Sequence, residues 1–250
     1  MKSYPDRAVV IRTWPLGESD RIVTLFTREH GKIRAVAKGV RGAKSRISGL
    51  IQPTSELDLL LYRGRELDVI QQASLLQAHL ARVGVDPGQF GSALEWLEAI
   101  DNLTVDRHPD PVVYELMNRG LRLLADEPAP SLLGALLMRL LDIEGYAPNL
   151  SVCGLCGSAV GVFVGFDFAS SAPRCSGCGG EPVGPAVFVK TASVLAHRVS
   201  EVLVDENVPS GREFEAFAIR LVKEVVGRGL RSTGVVASLL DAGPAQNDSC

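Results

Sequence analysis

Four cysteines in two matching pairs carry the clearest chemistry in the sequence. Cys153-Gly-Leu-Cys156-Gly and Cys175-Ser-Gly-Cys178-Gly are separated by eighteen residues, giving C-x2-C-x18-C-x2-C. Two residues between thiolates let one tight turn aim both sulfurs at a single tetrahedral ion. Gly157 and Gly179 suit the left-handed backbone that such a turn needs after its second ligand. The spacing falls in the range of zinc ribbons and knuckles. Two disulfides are the first competing use, but Met1-Lys-Ser-Tyr-Pro5 has no signal-peptide character, and the cytosol keeps thiols reduced. A redox C-x-x-C would call for a strand–motif–helix setting that neither pair has. We therefore expect Cys153, Cys156, Cys175 and Cys178 to hold one zinc ion. A closed shell of four thiolates leaves no position for water or substrate, so the metal is expected to be structural.

The second chemical signal is electrostatic. The net charge of −3 conceals a split, because residues 1–80 hold 13 Lys/Arg against 8 Asp/Glu while the rest hold 13 against 21. From Arg28 to Arg46 there are seven basic residues and one acid, Glu29. Such asymmetry points to an anionic partner for the basic part. Side chains alternate along a strand, so Lys32, Arg34 and Lys38 share one face of the segment Lys32–Lys38 while Ile33, Ala35 and Ala37 face a core. The following loop, Gly39–Ser48, adds Arg41, Lys44 and Arg46. A polyanion gripped by these six residues gains from counterion release as well as contact. The competing use of the same residues is a solvated strand face with a loop. Trp14, Phe26 and Tyr62 are the nearby aromatics, with Phe26 better suited to a core.

These residues need elements to position them. Five β-branched runs separated by turn signals cover residues 7–14, 21–27, 32–38, 56–62 and 66–72, the last two as a hairpin across Arg63-Gly64-Arg65. Short, evenly punctuated strands predict a small barrel or sandwich, a shape that grips single strands in a groove. From Asp86 the apolar period becomes helical. Asp86-Pro87 and Asp110-Pro111 are N-cap and first-turn pairs, and a leucine-rich helix runs from about Pro130 to Gly145. After the cysteine segment, helices are expected over Ala186–Val204 and from Ser210, with Ser210 and Glu213 as a capping box. The fold class expected is α+β and multidomain: a barrel over 1–80, helices over 81–150, a zinc lobe over 151–184, further helices over 185–242 and a disordered tail over 243–250. Cys250 then lies in the tail as a spare thiol.

Enzyme signatures are missing. There is no G-x-G-x-x-G, Walker A, H-E-x-x-H or G-x-S-x-G pattern, and His30, His79, His108 and His197 are scattered without partners at catalytic spacing. No apolar run reaches the length of a membrane span; Leu132–Leu141, the longest candidate, contains Arg139. The composition predicts a non-enzymatic, cytoplasmic protein.

The motifs then converge. Gly17-Glu-Ser-Asp20, Leu25-Phe-Thr-Arg28, Gly31-Lys32 and Ala37-Lys-Gly39 resemble the opening pattern of the RecO family of bacterial recombinational repair proteins. Gly145-Tyr-Ala-Pro-Asn-Leu150, leading into Cys153 and Cys156-Gly157, is similar to its central motif, and Gly229-Leu-Arg-Ser232 to a basic segment near its C-terminus. The resemblance spans about residues 5–240. It implies an N-terminal OB-fold, a helical domain with an inserted zinc lobe, and a nucleoid-associated mediator that binds single- and double-stranded DNA and anneals strands. It also implies action with RecR and the single-stranded-DNA-binding protein in loading the RecA recombinase. Arg220, Lys223 and Arg231, beside Phe217, Val222 and Val226, are the residues expected to receive that protein's acidic tail. Two alternatives remain open: a scaffold that chiefly docks proteins of a repair complex, and an RNA-binding zinc–OB protein.

Overall fold

The computed structural model describes residues 2–42, 47–80, 86–159, 163–205 and 207–227. They form two compact units that divide between Asp126 and Glu127. The first two helices therefore group with the strands, and the division lies well beyond residue 80.

In the first unit, five strands close into an OB-like barrel of order β1-β2-β3-β5-β4. They are β1 (Ser3–Leu16), β2 (Asp20–Thr27), β3 (Gly31–Ala37), β4 (Ser55–Tyr62) and β5 (Asp68–Ala78). Closure comes from the parallel pairing of β3 with β5 at Ala35–Asp68 and Val36–Val69. Alternation puts Val23 and Leu25, Ile33, Ala35 and Ala37, and Leu57, Leu59 and Leu61 into one buried cluster. Each large aliphatic chain so buried contributes about 1.5–3 kcal/mol. A bulge between Val10 and Arg12 interrupts the pairing of β1 with β2. The extra residue reverses the facing of everything after it.

Two helices complete this unit, α1 (Pro87–Leu103) and α2 (Pro111–Asp126). Both start where the caps predict. The Asp86 carboxylate accepts from the amides of Gly88 and Gln89, and Asp110 Oδ1 accepts from Val113 N at 2.9 Å. Trp96, Leu97 and Ile100 of α1 and Val113, Met117 and Leu121 of α2 are buried.

The second unit is built on α3 (Leu132–Ile143), which packs against α6 (Val208–Val226) and α4 (Pro185–Leu195). Gly134 is what lets α6 approach: a Cβ there would stand 2.9 Å from Phe214 Cδ1 and 3.1 Å from Glu215 Cα. The helix expected over Ala186–Val204 is two, α4 and α5 (Val199–Leu203), broken at His197 with φ of 60°. The capping box expected at Ser210 is not formed. Asn207 caps α6 by accepting from Ser210 N, and Glu213 instead accepts from Gly184 N at 2.8 Å. Between α3 and α4 lies a three-stranded sheet of β6 (Gly165–Asp167), β7 (Ala172–Arg174) and β8 (Glu181–Pro182), in the order β7-β6-β8. Phe166 of β6 meets Phe217 of α6 edge-on at 4.9 Å and fastens the cysteine segment to the helices. Among the described residues no helix is long and apolar enough to cross a membrane. The segment 243–250, expected as a tail, lies outside the described residues.

Candidate nucleic-acid interface and metal centre

The outer face of β1, β2 and β3 carries two rows across the sheet. In one, Arg12 pairs with Thr24 and Thr24 with Arg34; in the next, Trp14, Ile22 and Val36 line up. Lys38 is exposed at the end of β3. Beyond it, Gly39 N donates to Asp20 Oδ1 at 2.8 Å, and Arg41 Nη1 to Gly17 O at 2.8 Å. The Gly39 amide, then Ser19 and Lys38, hold the Asp20 carboxyl below the usual carboxylate range. The loop is thereby pinned to the turn after β1. Lys44 and Arg46 lie outside the described residues.

Two arginines on this face carry internal counter-charges. Arg12 Nη2 is 3.0 Å from Asp101 Oδ2, and its guanidinium sits 5.2 Å from the Trp14 ring centroid. Arg34 Nη2 is 3.7 Å from Asp106 Oδ2, and both side chains are about half exposed. Strict alternation along β1 would place Arg12 inward with Ala8 and Val10. The bulge turns Arg12 and Trp14 outward together.

Lys32 is corrected by the structure. It occupies the outer face of β3 as expected, yet it is only 7% exposed. The loop after α1 covers it: Arg107 N donates to Lys32 O at 2.8 Å, and a Cβ on Gly31 would stand 2.0 Å from His108 O. The ammonium donates to Asp101 O at 2.5 Å and Thr104 O at 2.8 Å, and it faces Asp101 Oδ1 at 3.5 Å and Asp106 Oδ1 at 3.3 Å. A cation on the last carbonyls of a helix complements the negative end of its dipole. Lys32 ties α1 to the barrel and is not free for a phosphate.

The four cysteine side chains converge. Their sulfurs all lie within 4.8 Å of one another, with Cys156 and Cys175 at 3.9 Å. Regular tetrahedral ligation with Zn–S bonds of about 2.3 Å sets sulfurs about 3.8 Å apart. Both turns are alike: Gly157 N bonds Cys153 O, Gly179 N bonds Cys175 O, and the glycines take φ of 70° and 72°. The amides of Cys156, Cys175 and Leu155 bring the Cys153 thiol down to about 5. Crowding by the thiols of Cys175 and Cys156 pushes Cys178 up to about 12. Four such groups ionise together only against a cation, so the donor set fits a metal. Asp167 supports the lobe rather than the metal. It accepts from Ser170 Oγ and Ala169 N and pairs with Arg174.

The residues expected to receive an acidic tail are dispersed. Arg220 stacks on Phe168, 3.8 Å from its centroid, and pairs with Glu181 beside a cavity of about 430 Å³. Lys223 is half-buried on α6, and Arg231 lies outside the described residues. Phe217 and Val222 are core residues, not pocket walls. Phe166, Phe168 and Leu155 line the cavity instead; the three-stranded sheet that brings them there left no signal in the periodicity.

Comparison with known proteins covers most of the chain. The model of the recombination protein O N-terminal region matches residues 1–79, and that of the C-terminal region matches residues 86–233. The chain is 39% identical over 243 residues to the DNA repair protein RecO of Cutibacterium acnes, covering 93% of this chain and 98% of that one. It is 36% identical over 238 residues to the DNA repair protein RecO of Frankia casuarinae, covering 93% and 97%. With the same protein of Bifidobacterium longum it shares 42% identity over 162 residues, 64% of this chain and 68% of that one. Similarity at this level over both units means that the chain belongs to the recombination protein O (RecO) family.

Proposed function

We propose that this protein is a non-enzymatic mediator of DNA repair and recombination that binds nucleic acid on the outer face of β1–β3. One observation carries the assignment: a cationic row, Arg12 and Arg34, lies in register beside an apolar row headed by Trp14, with Lys38 and Arg41 extending the charge. Guanidinium and ammonium groups take phosphates, while an aromatic ring and its aliphatic neighbours take base faces. Lys44 and Arg46 complete the cationic set in this reading. The family supports DNA as the polymer and repair as the setting; binding of both single and double strands is part of the proposal.

Three finer assignments belong to the same proposal. The metal is zinc, one structural ion on Cys153, Cys156, Cys175 and Cys178. The partners are RecR and the acidic tail of the single-stranded-DNA-binding protein, with Arg220 and Lys223 on the side of the molecule that receives the tail. The activity is annealing of complementary strands and help in loading RecA, in the cytoplasm at the nucleoid.

The test is the salt dependence of single-strand binding. With Arg12 held by Asp101, neutralising five phosphates with Arg34, Lys38, Arg41, Lys44 and Arg46 gives a log–log slope of roughly −3.5. Changing Arg34, Lys38 and Arg41 together to Ala should bring it to roughly −1.4. An unaltered slope in that variant defeats the site assignment. Equal competition by RNA and DNA strands of one length would favour the RNA-binding alternative.

A further inference from the structure

A cavity of about 330 Å³ in the first unit takes no part in the cationic face. It lies among β1, β4, β5 and α2, and three arginines line it: Arg7, Arg28 and Arg122. Three carboxylates, Glu56, Glu115 and Asp126, share the lining. Arg28 makes two long ion pairs, to Glu29 at 3.8 Å and to Glu115 at 4.0 Å. Arg7 and Arg122 make no ion pair among the described residues. Arg12 and Arg107, by comparison, each hold an aspartate within 3.0 Å. Exposed pairs as long as the two on Arg28 are weak, so an anionic group from solution can displace Glu115 from Arg28 and join Arg7 and Arg122.

The same cavity has an acceptor side. Asn118 Nδ2 donates to Tyr114 O at 3.2 Å, which leaves Asn118 Oδ1 to accept from His79 Nε2 at 3.2 Å. His79 Nδ1 then carries a lone pair, and it is buried with no donor among the described residues. Burial lowers the His79 pKa, which favours the neutral ring, against the opposing hydrogen bond to Asn118. Glu56, which accepts from the Tyr114 hydroxyl at 2.9 Å, is a second acceptor in the lining. Buried acceptors without donors are rare in folded proteins, and a ligand N–H or a water held beneath a ligand satisfies them.

A bare phosphate answers only the arginines. A ligand with an anion at one end and N–H groups at the other answers both sides. We infer that this cavity is a nucleotide pocket, with the phosphate on Arg7, Arg28 and Arg122 and the base N–H edge toward His79 and Glu56. Its use by a nucleotide of a bound strand rests on the nucleic-acid reading above. The pocket itself stands on its own lining.

Amide NMR of the full chain, titrated with deoxyguanosine 5′-monophosphate, tests it. Millimolar nucleotide should shift the amides of Gln77, His79 and Asn118. The exposed double variant Arg7→Ala/Arg122→Ala should weaken the effect roughly ten-fold, and so should inorganic phosphate in place of the nucleotide. Arg122→Glu alone should also abolish the shifts, with the remaining spectrum showing that the fold is kept. Absence of shifts at these residues, shifts unchanged in both variants, or equal binding of phosphate or an acidic peptide overturns the inference. A short deoxyoligonucleotide that shifts the same amides places the pocket in strand binding; one that leaves them unmoved removes it from that role. Loss of the salt slope in the wild-type chain bears on the β1–β3 face alone, so the two failures are distinguishable.

Discussion

Replacing Lys32 with Met separates a structural lysine from a DNA-contacting one. The methionine keeps most of the apolar stem and removes the ammonium. Two helix-terminal carbonyls, at 2.5 and 2.8 Å, lose their donor, and Asp101 loses a cation at 3.5 Å in a site where both side chains are 9% exposed. Breaking a buried pair from one side costs about 3–5 kcal/mol, because the remaining charge stays uncompensated. Asp101 keeps Arg12 at 3.0 Å, which places the expectation at the lower end, about 3 kcal/mol. At roughly 2–4 °C per kcal/mol for a chain of this size, the melting midpoint should fall by about 10 °C. Urea unfolding followed by Trp fluorescence reads this directly, since Trp96 is buried in α1. The slope of single-strand affinity against salt should not move. A loss below about 1 kcal/mol, or a slope shallower by about 0.7, would show that the ammonium serves a phosphate after all.

Three further outcomes are expected. Asp106→Asn frees Arg34 from a carboxylate at 3.7 Å, so single-strand affinity at low salt should rise about two- to three-fold by the usual worth of an exposed pair; unchanged affinity would remove Arg34 from the interface. Metal analysis of reduced protein should find one zinc per chain, and chelation should expose Phe166 and loosen the second unit, because metal binding free energy is folding free energy in such lobes. Burial alone would raise the Asp68 carboxyl, but Arg107 and the Tyr4 hydroxyl outweigh it and hold the group below its ordinary value. That contribution is full above the unfolded value of about 3.9 and fades as pH falls through the folded one. The stability gap between wild type and Arg107→Ala should therefore narrow on acidification, and a constant gap in urea titrations across that range would contradict the assignment.

The sequence was legible wherever a local rule decides the outcome. Alternation in β3 sends Ile33, Ala35 and Ala37 inward, and the Asp-Pro pairs start α1 and α2, because each depends only on residues a few positions away. The cysteine spacing was legible for the same reason, with each knuckle a self-contained turn. What failed was set by chain arriving from elsewhere. Lys32 is buried by a loop about seventy residues later. Ser210 lost the cap because Asn207-Val-Pro209 starts α6 earlier, and Glu213 found a better donor at Gly184. The bulge in β1 leaves no mark in composition, yet it decides that Arg12 joins Arg34 on one face.

That last point changes how the charge of the first eighty residues should be understood. Their excess of basic residues looks like a reserve available to a polyanion, yet part of it is already committed. Lys32 is consumed by α1, and Arg12 and Arg34 are matched by Asp101 and Asp106. These acids come from the end of α1 and the loop after it, the same segment that covers β3. A strand binding here must displace Asp106 from Arg34, an exposed and weak pair, while the buried Lys32–Asp101 contact stays intact. The face is thus split into a fixed part that holds α1 to the barrel and an exchangeable part, Arg34, Lys38 and Arg41, that can trade a carboxylate or water for a phosphate. If the face binds strands as proposed, such a division would let it give up a strand when another partner competes, the property that the proposed annealing activity calls for.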